Sequence, residues 1–296
     1  MIDKSHIQNL QEELFTEYNL TVDMLRIDLL HPIVSGNKLF KLKHYILEAK
    51  EKSNDGIITF GGSYSNHLVA SAYAAKQIGI TSLGIIRGEQ PKELSSTLSD
   101  CITHGMELQF ISREAFDKID LNDLAVKYPS KQIIPQGGFG SLGAKGASEI
   151  LSFEGSENYT HIIAACGTGT MAAGLINNSN SSQKIILVSV LKNNFSITDE
   201  IRKLIYYERV GTNKFDILFN YHHGGYAKKD KALLEIMNSF YERHKIKTDF
   251  VYTGKMISAF YDLLKKNFFL PGSNILLIHS GGLQGNRSLT NNELSF

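Results

Sequence analysis

A lysine able to act as a carbonyl-reactive amine needs a lowered pKa and a fixed position, and Lys38 is placed for both. It stands in Ser35-Gly36-Asn37-Lys38-Leu39-Phe40-Lys41-Leu42. The preceding Asp28-Leu29-Leu30-His31-Pro32-Ile33 reads as a short extended segment, because Pro32 keeps His31 out of helical geometry. Gly36 and Asn37 then supply a turn, with Asn37 as the expected N-cap. From Lys38 onward Leu39, Leu42, Tyr45, Ile46 and Ala49 recur at helical spacing, which predicts a helix to about Lys52. Lys38 thus falls in the first turn, at the positive end of the helix dipole, where the ammonium form is disfavoured as a Schiff-base lysine requires. A solvated lysine at a helix start is the competing reading, and distant segments that suit one cofactor weigh against it.

Three glycine-rich turns follow apolar strands. Phe60-Gly61-Gly62-Ser63-Tyr64-Ser65-Asn66-His67 offers Ser65 and Asn66 at a helix start, with simple N-capping as the alternative. Cys166-Gly167-Thr168-Gly169-Thr170-Met171 opens another helix, and its backbone N–H groups and threonine hydroxyls suit a phosphate or carboxylate. It has neither the Lys-Ser/Thr of a Walker loop nor the full G-x-G-x-x-G pattern. His279-Ser280-Gly281-Gly282 follows the last apolar strand, and a plain C-terminal loop is equally compatible with it. In Val251-Tyr252-Thr253-Gly254-Lys255, Thr253 is the expected N-cap of the helix Met256–Lys266, and Tyr226 follows the pair Gly224-Gly225. His222 and His223 have no spaced third ligand, so no metal site is expected.

The elements that position these groups alternate. A helix is expected over 8–16 and strands over 21–28, 57–60, 81–86, 107–112, 132–135, 161–165, 184–190 and 274–278. Helices fall between them: 66–78, one opened by Pro91 and ended by Gly105, 114–127 and 141–154. Short continuous apolar strands alternating with helices indicate an α/β fold with parallel sheets. Ligands in such sheets bind outside the carboxyl ends of the strands, which draws the three turns toward one crevice.

The 296 residues, 42% hydrophobic, suffice for a large core or for two lobes sharing a cleft. The chain is expected to cross between lobes near residues 52 and 140. The 31 Lys+Arg nearly balance 30 Asp+Glu without long runs of one sign, which argues against nucleic-acid or polybasic membrane binding. The polar start Met1–His6 and the lack of a bilayer-length apolar run make a cytoplasmic protein the default expectation. Two cysteines, Cys101 and Cys166, make no disulfide framework.

Taken together, SGNKLFKL (35–42), GGSYSNH (61–67), PQGGFGSLGAKG (135–146), CGTGTMAAG (166–174), VYTGK (251–255) and HSGG (279–282) resemble, in family order over about 20–285, the 1-aminocyclopropane-1-carboxylate deaminase / D-cysteine desulfhydrase family. The resemblance implies pyridoxal 5'-phosphate (PLP) as cofactor. It also implies a two-lobed tryptophan-synthase-β-like architecture (PLP fold type II), each lobe a mostly parallel sheet flanked by helices. Residues 1–52 plus 141–296 would form the large PLP-binding domain and 53–140 the small one. Lys38 would form the internal aldimine and Asn66 would hydrogen-bond the 3′ oxygen. Gly167, Thr168, Gly169 and Thr170 would hold the phosphate. Ser65 would lie near the substrate carboxylate or Cα, and Tyr226 and Tyr252 match aromatic active-site positions. Tyr64 is the implied ring beside the cofactor. The resemblance further implies a small amino-acid substrate and a homodimer.

Two positions separate the branches of that family. The deaminase branch carries Glu where this chain has Thr253, and Leu where it has Ser280, so both look like the desulfhydrase branch. A threonine hydroxyl would donate to an unprotonated pyridine nitrogen and leave the ring a weaker electron sink. Such a sink suits β-elimination of thiolate better than cyclopropane opening. Met171 departs from the usual threonine, an expected weakening of phosphate grip, and the chain is shorter at its N-terminus than typical members. D-cysteine desulfhydration is the leading expectation. A cyclopropane deaminase, or a lyase for another β-substituted amino acid, is the rival. A non-catalytic phosphate-ligand-binding protein is the alternative from another class.

Overall fold

The computed structural model describes residues 2–3, 6–206, 215–290 and 292–296. Among them ten strands form two sheets. Strands β1 (Ile7–Leu10), β2 (Thr21–Leu25), β7 (His161–Cys166), β8 (Lys184–Ser189), β9 (Phe215–Leu218) and β10 (Asn274–Ile278) make a six-stranded sheet in the order β1-β2-β10-β7-β8-β9. Only the β1–β2 pair is antiparallel. Strands β3 (Gly56–Gly61), β4 (Thr81–Arg87), β5 (Met106–Ile111) and β6 (Lys131–Ile134) make an all-parallel sheet in the order β5-β4-β3-β6.

The helices are α1 (Glu13–Glu17), α2 (Asn37–Glu51), α3 (Asn66–Gln77), α4 (Ser96–Thr103), α5 (Arg113–Asp117) and α6 (Leu121–Lys127). They continue with α7 (Ser141–Ser148), α8 (Thr170–Asn178), α9 (Ile197–Arg202), α10 (Lys231–His244) and α11 (Thr253–Lys265). The fold is thus mixed α/β with two mostly parallel, helix-flanked sheets. The central strands β3, β7 and β10 are almost wholly buried, as continuous apolar runs covered on both faces must be.

Several local expectations are corrected. Residues 8–16 do not form one helix: Ile7–Leu10 pairs with β2 as an edge strand, and α1 begins only at Glu13. The strand at 21–28 stops at Leu25, and Ile27–Leu29 turns as a 3-10 helix. Pro91 does not open α4; Ser95 does, accepting from the Leu98 N–H. The helix expected over 114–127 breaks into α5 and α6, because Asp120 caps a new start at the Asn122 N–H. The 141–154 helix ends at Ser148 and tightens into a 3-10 turn over Glu149–Leu151.

The register sets the site. Leu25 ends β2 opposite Ile278 at the end of β10, and β10 pairs in turn with β7. The chain therefore leaves three neighbouring strand ends on one side: toward α2, toward 279–282, and into the turn before α8.

Candidate active site

At the start of α2 the backbone is held by the loop after β10. The Asn37 N–H donates to the Ser280 carbonyl at 3.0 Å and the Gly36 N–H to the Ile27 carbonyl at 3.1 Å. Gly36, and not Asn37, occupies the N-cap position. Its φ is +65°, and a Cβ there would lie 1.9 Å from the Ser280 carbonyl oxygen, so both conformation and space demand glycine. Asn37 is instead the first helical residue, and its side chain works inside the site.

Lys38 Nζ donates to Asn37 Oδ1 at 2.6 Å. Burial pulls the Lys38 amine down to about 8, while the Asp249 carboxylate opposes the fall. Desolvation, and not the helix end, is the leading cause of the lowering. One turn on, the buried Lys41 donates to the Gly137 carbonyl at 3.0 Å, and burial and the Lys38 charge hold its pKa well below the ordinary value. Lys41 was missed, although its i+3 spacing from Lys38 puts the two on one helix face. Asn37 Nδ2 donates to the sulfur of Met171 at 3.3 Å, so Met171 sits beneath the start of α2.

The turn before α8 has Gly169 at φ +81°, with the Thr168 and Thr170 hydroxyls 3.3 Å apart. The 137–143 segment closes over it: a Cβ on Gly137 would come 2.9 Å from Thr168 Cγ2. Tyr252 lies against Gly167, where a Cβ would meet its ring at 3.2 Å. Burial first, and Tyr226 second, push the Tyr252 phenol well above its ordinary pKa, so it stays neutral. Tyr226 meets Tyr252 edge-to-face at 6.1 Å between centroids.

Ser65 caps α3, its hydroxyl accepting from the Leu68 N–H at 3.4 Å. Asn66 Nδ2 donates to the Gly282 carbonyl at 3.1 Å, tying the first turn to the third. Asn66 Oδ1 is buried without a partner among the described residues. His67, next in line, is fully buried. Thr59 Oγ1 spends its proton on the Ile134 carbonyl at 2.9 Å, so His67 Nε2 must donate to it at 2.8 Å, and Nδ1 is left as an unpartnered acceptor. Burial, then the charges of Lys38 and Lys41, keep that imidazole neutral. Tyr64 is exposed and makes no ring contact among the described residues, so the structure does not gather it with the others.

Thr253 is the first residue of α11, and the capping is done by the buried Asp249. That carboxylate accepts from the N–H groups of Val251 at 2.9 Å, Tyr252 at 2.8 Å and Thr253 at 2.9 Å, and from Thr253 Oγ1 at 2.7 Å. The Thr253 hydroxyl thus gives its single proton to Asp249, and it accepts the Asp249 N–H at 2.8 Å. The Ser280 hydroxyl has no hydrogen-bond partner among the described residues. Behind this loop the buried His279 donates from Nε2 to the Lys247 carbonyl at 2.7 Å, with Asp28 Oδ1 3.3 Å from its Nδ1. Arg26 in turn grips Asp28 at 2.9 and 2.7 Å. Asp249 and Asp28 bond mainly to near neighbours in sequence, and only the fold brings Asp28 to His279 and the Asp249 charge to Lys38.

A cavity of about 470 Å³ opens beside Gly167 and Thr168, lined also by Phe60, Phe116, Phe139, Leu191 and Ile197. Among the described residues no cluster of His, Cys, Asp and Glu could hold a metal ion, and no helix is long and apolar enough to cross a membrane.

The pattern of the pyridoxal-phosphate dependent enzyme family matches residues 15–281, most of the chain. The chain belongs to that family. A Thermotoga maritima protein named "Putative 1-aminocyclopropane-1-carboxylate deaminase" is 29% identical over 293 residues, covering 93% of this chain and 92% of its own. The Arabidopsis thaliana "Bifunctional D-cysteine desulfhydrase/1-aminocyclopropane-1-carboxylate deaminase, mitochondrial" is 30% identical over 284 residues, covering 85% and 70%. A solved structure of an "ACC deaminase homologue" superposes with a TM-score of 0.77 at 25% identity, over 95% of this chain and 90% of that one. Serine racemase from Dictyostelium discoideum shares the fold alone, with a TM-score of 0.63 at 16% identity. This is therefore a PLP-dependent enzyme of fold type II. The residues present fit the cofactor: a buried amine lowered to about 8 and a two-threonine turn at a helix start.

Proposed function

We propose that the chain is a lyase that eliminates the β-substituent of a small amino acid, with D-cysteine as first substrate and sulfide, pyruvate and ammonia as products. The observation that carries this reading is the hydroxyl at 253 beside a carboxylate already committed. Asp249 accepts four hydrogen bonds from its own loop, so no free acid stands next to Thr253 to protonate a pyridine nitrogen. Bound PLP supplies an electron sink, and a weak one serves departure of a thiolate. The Thr253 hydroxyl directs its proton at Asp249, which leaves the Ser280 hydroxyl as the donor toward the ring nitrogen.

In this reading Lys38 binds the cofactor covalently and, once free, takes the Cα proton at Nζ, while Asn37 Oδ1 orients that amine. Gly167, Thr168, Gly169 and Thr170 hold the phosphate, with Lys41 as a nearby buried amine. Asn66 meets the 3′ oxygen. Ser65 faces the substrate carboxylate, and Tyr226 and Tyr252 flank the ring side. The same reading takes 53–140 as the small domain, supported by the four-stranded sheet falling within it, and takes the protein as a cytoplasmic homodimer.

The test is a spectrum of the purified protein with PLP, followed by addition of D-cysteine. Sulfide and pyruvate in equal amounts are expected. Release of α-ketobutyrate from 1-aminocyclopropane-1-carboxylate, with no sulfide from D-cysteine, would replace this reading by the deaminase one that the name of the Thermotoga maritima relative carries.

A further inference from the structure

A Ser–His–Asp chain lies outside the residues assigned so far. Asp230 Oδ1 and Oδ2 stand 3.0 and 2.9 Å from His223 Nδ1, and His223 Nε2 is 3.0 Å from Ser258 Oγ. A carboxylate only accepts, so Nδ1 carries a proton directed at Asp230. Ser258 is no nucleophile. It is buried in the middle of α11, whose backbone N–H groups are spent along the helix, so nothing there could hold an oxyanion.

What the chain does hold is a strained loop. Between β9 and α10, His223 has φ +46°, Gly224 +91°, Gly225 +117° and Ala227 +51°. Two of these are non-glycine residues in the left-handed region, each costing on the order of 1 kcal/mol or more, and such a conformation persists only where its surroundings over-determine it. Tyr226 stands within the run, between Gly225 and Ala227.

Two fastenings converge on it. The first is His223, bridged to Asp230, which also caps α10 by accepting from the Leu233 N–H at 2.8 Å, and to Ser258 on α11. The second is Lys255, wholly buried on α11, whose ammonium donates to the Gly225 carbonyl at 2.7 Å. That carbonyl belongs to the peptide leading into Tyr226. Among the described residues Lys255 has no carboxylate within ion-pair distance, so its single strong contact is this backbone oxygen. Burial draws its pKa down to about 8 against the attraction of Asp249 and Asp230. A lysine stem buried to reach one carbonyl is a costly way to fix a loop, and it fixes the atom next to the one residue of that loop that meets Tyr252.

We infer that His223 and Lys255 are positioning residues for Tyr226, clamping a strained turn so that its ring stands edge-on to Tyr252 beside the Gly167 turn. The inference rests on the reading that puts Tyr226 at the active site. Its predicted signature is non-additivity. With PLP bound, His223→Asn, which tolerates the left-handed backbone but cannot span both partners, should lower kcat/KM about tenfold. Lys255→Met should do the same, and both should leave the cofactor absorbance in place. In a Tyr226→Phe background the same changes should cost under about twofold, because their effect passes through the Tyr226 hydroxyl.

A second readout needs no substrate. Lys228 and Lys229 follow the clamped turn, so trypsin should cut there faster in both variants and in the milder Ser258→Ala than in the parent chain. Full additivity with Tyr226→Phe, or unchanged cleavage at 228–229 in all three, would overturn the inference. Faster cleavage in a protein that proves inactive toward D-cysteine would leave the clamp standing and remove the substrate reading instead.

Discussion

Helices α8 and α11, packed on the six-stranded sheet, differ sharply from α5 and α6, which pack on the four-stranded one. Eight of nine residues of α8 and ten of thirteen of α11 are buried. None of α5 or α6 is. Phe116, Ile119 and Leu124 reach Ile58, Phe60 and Ile85 only as partly buried neighbours. The chemistry-bearing turns open the buried pair: Gly167–Thr170 leads into α8, and the Asp249-capped turn leads into α11. The loosely packed pair supplies part of the cavity wall and no titratable group of the site. A group whose pKa must be set by desolvation belongs on an element that cannot move away from its neighbours.

The largest effect that sharpens this contrast is at the start of α2. Lys38→Ala should abolish the absorbance of lysine-bound cofactor and lower turnover by at least about 10³-fold. A retained band in that variant would remove Lys38 from its role. Next comes stability. Phe260→Ala on α11 deletes a fully buried ring and should cost about 3–5 kcal/mol in urea unfolding, whereas Val126→Ala on α6, at 82% exposure, should stay within about 0.5 kcal/mol. Comparable losses at the two sites would break the comparison.

Third is the titration of Lys38. Its amine in the cofactor-free protein should become reactive toward an acylating reagent with a midpoint near 8, below the ordinary lysine value of about 10.4. The Asp249 carboxylate favours the ammonium, so Asp249→Asn should move the midpoint down. Glu114→Gln, on the exposed α5, should leave it where it was. An upward shift with Asp249→Asn would mean that the loss of its capping bonds, and not of its charge, dominates.

The strands and most helices were legible because their apolar runs are short, continuous and punctuated by glycine, and β10 matches its expected bounds at both ends. The edge strand β1 was not, since four residues of mixed burial carry too little pattern to distinguish them from a helix start. Lys38, Asn66 and the Gly167–Thr170 turn stood out as candidates because glycine and helix-start chemistry mark them locally. Asp249 could not. Its four hydrogen bonds close within five residues, but its field acts at Lys38, more than 200 positions away in sequence. The same holds for the role given to Thr253: sequence supplies a hydroxyl, and only the fold shows where its proton goes.

The smallest expected effect concerns Met171, where the buried frame touches the reactive amine indirectly. Asn37 Nδ2 points at the Met171 sulfur and Oδ1 at Lys38 Nζ. Turning the amide over would set its oxygen against the sulfur lone pairs and its NH₂ against the ammonium, so both contacts favour one orientation. Met171→Leu keeps the volume and should cost less than about 1.5 kcal/mol of stability. It removes one of the two contacts that hold the amide, so Oδ1 faces Lys38 less of the time and the amine loses part of its acceptor. The Lys38 midpoint should therefore fall, by less than with Asp249→Asn. In an Asn37→Ala background Met171→Leu should have no effect on that midpoint. A shift that survives loss of the amide would show that the sulfur acts on Lys38 by packing alone.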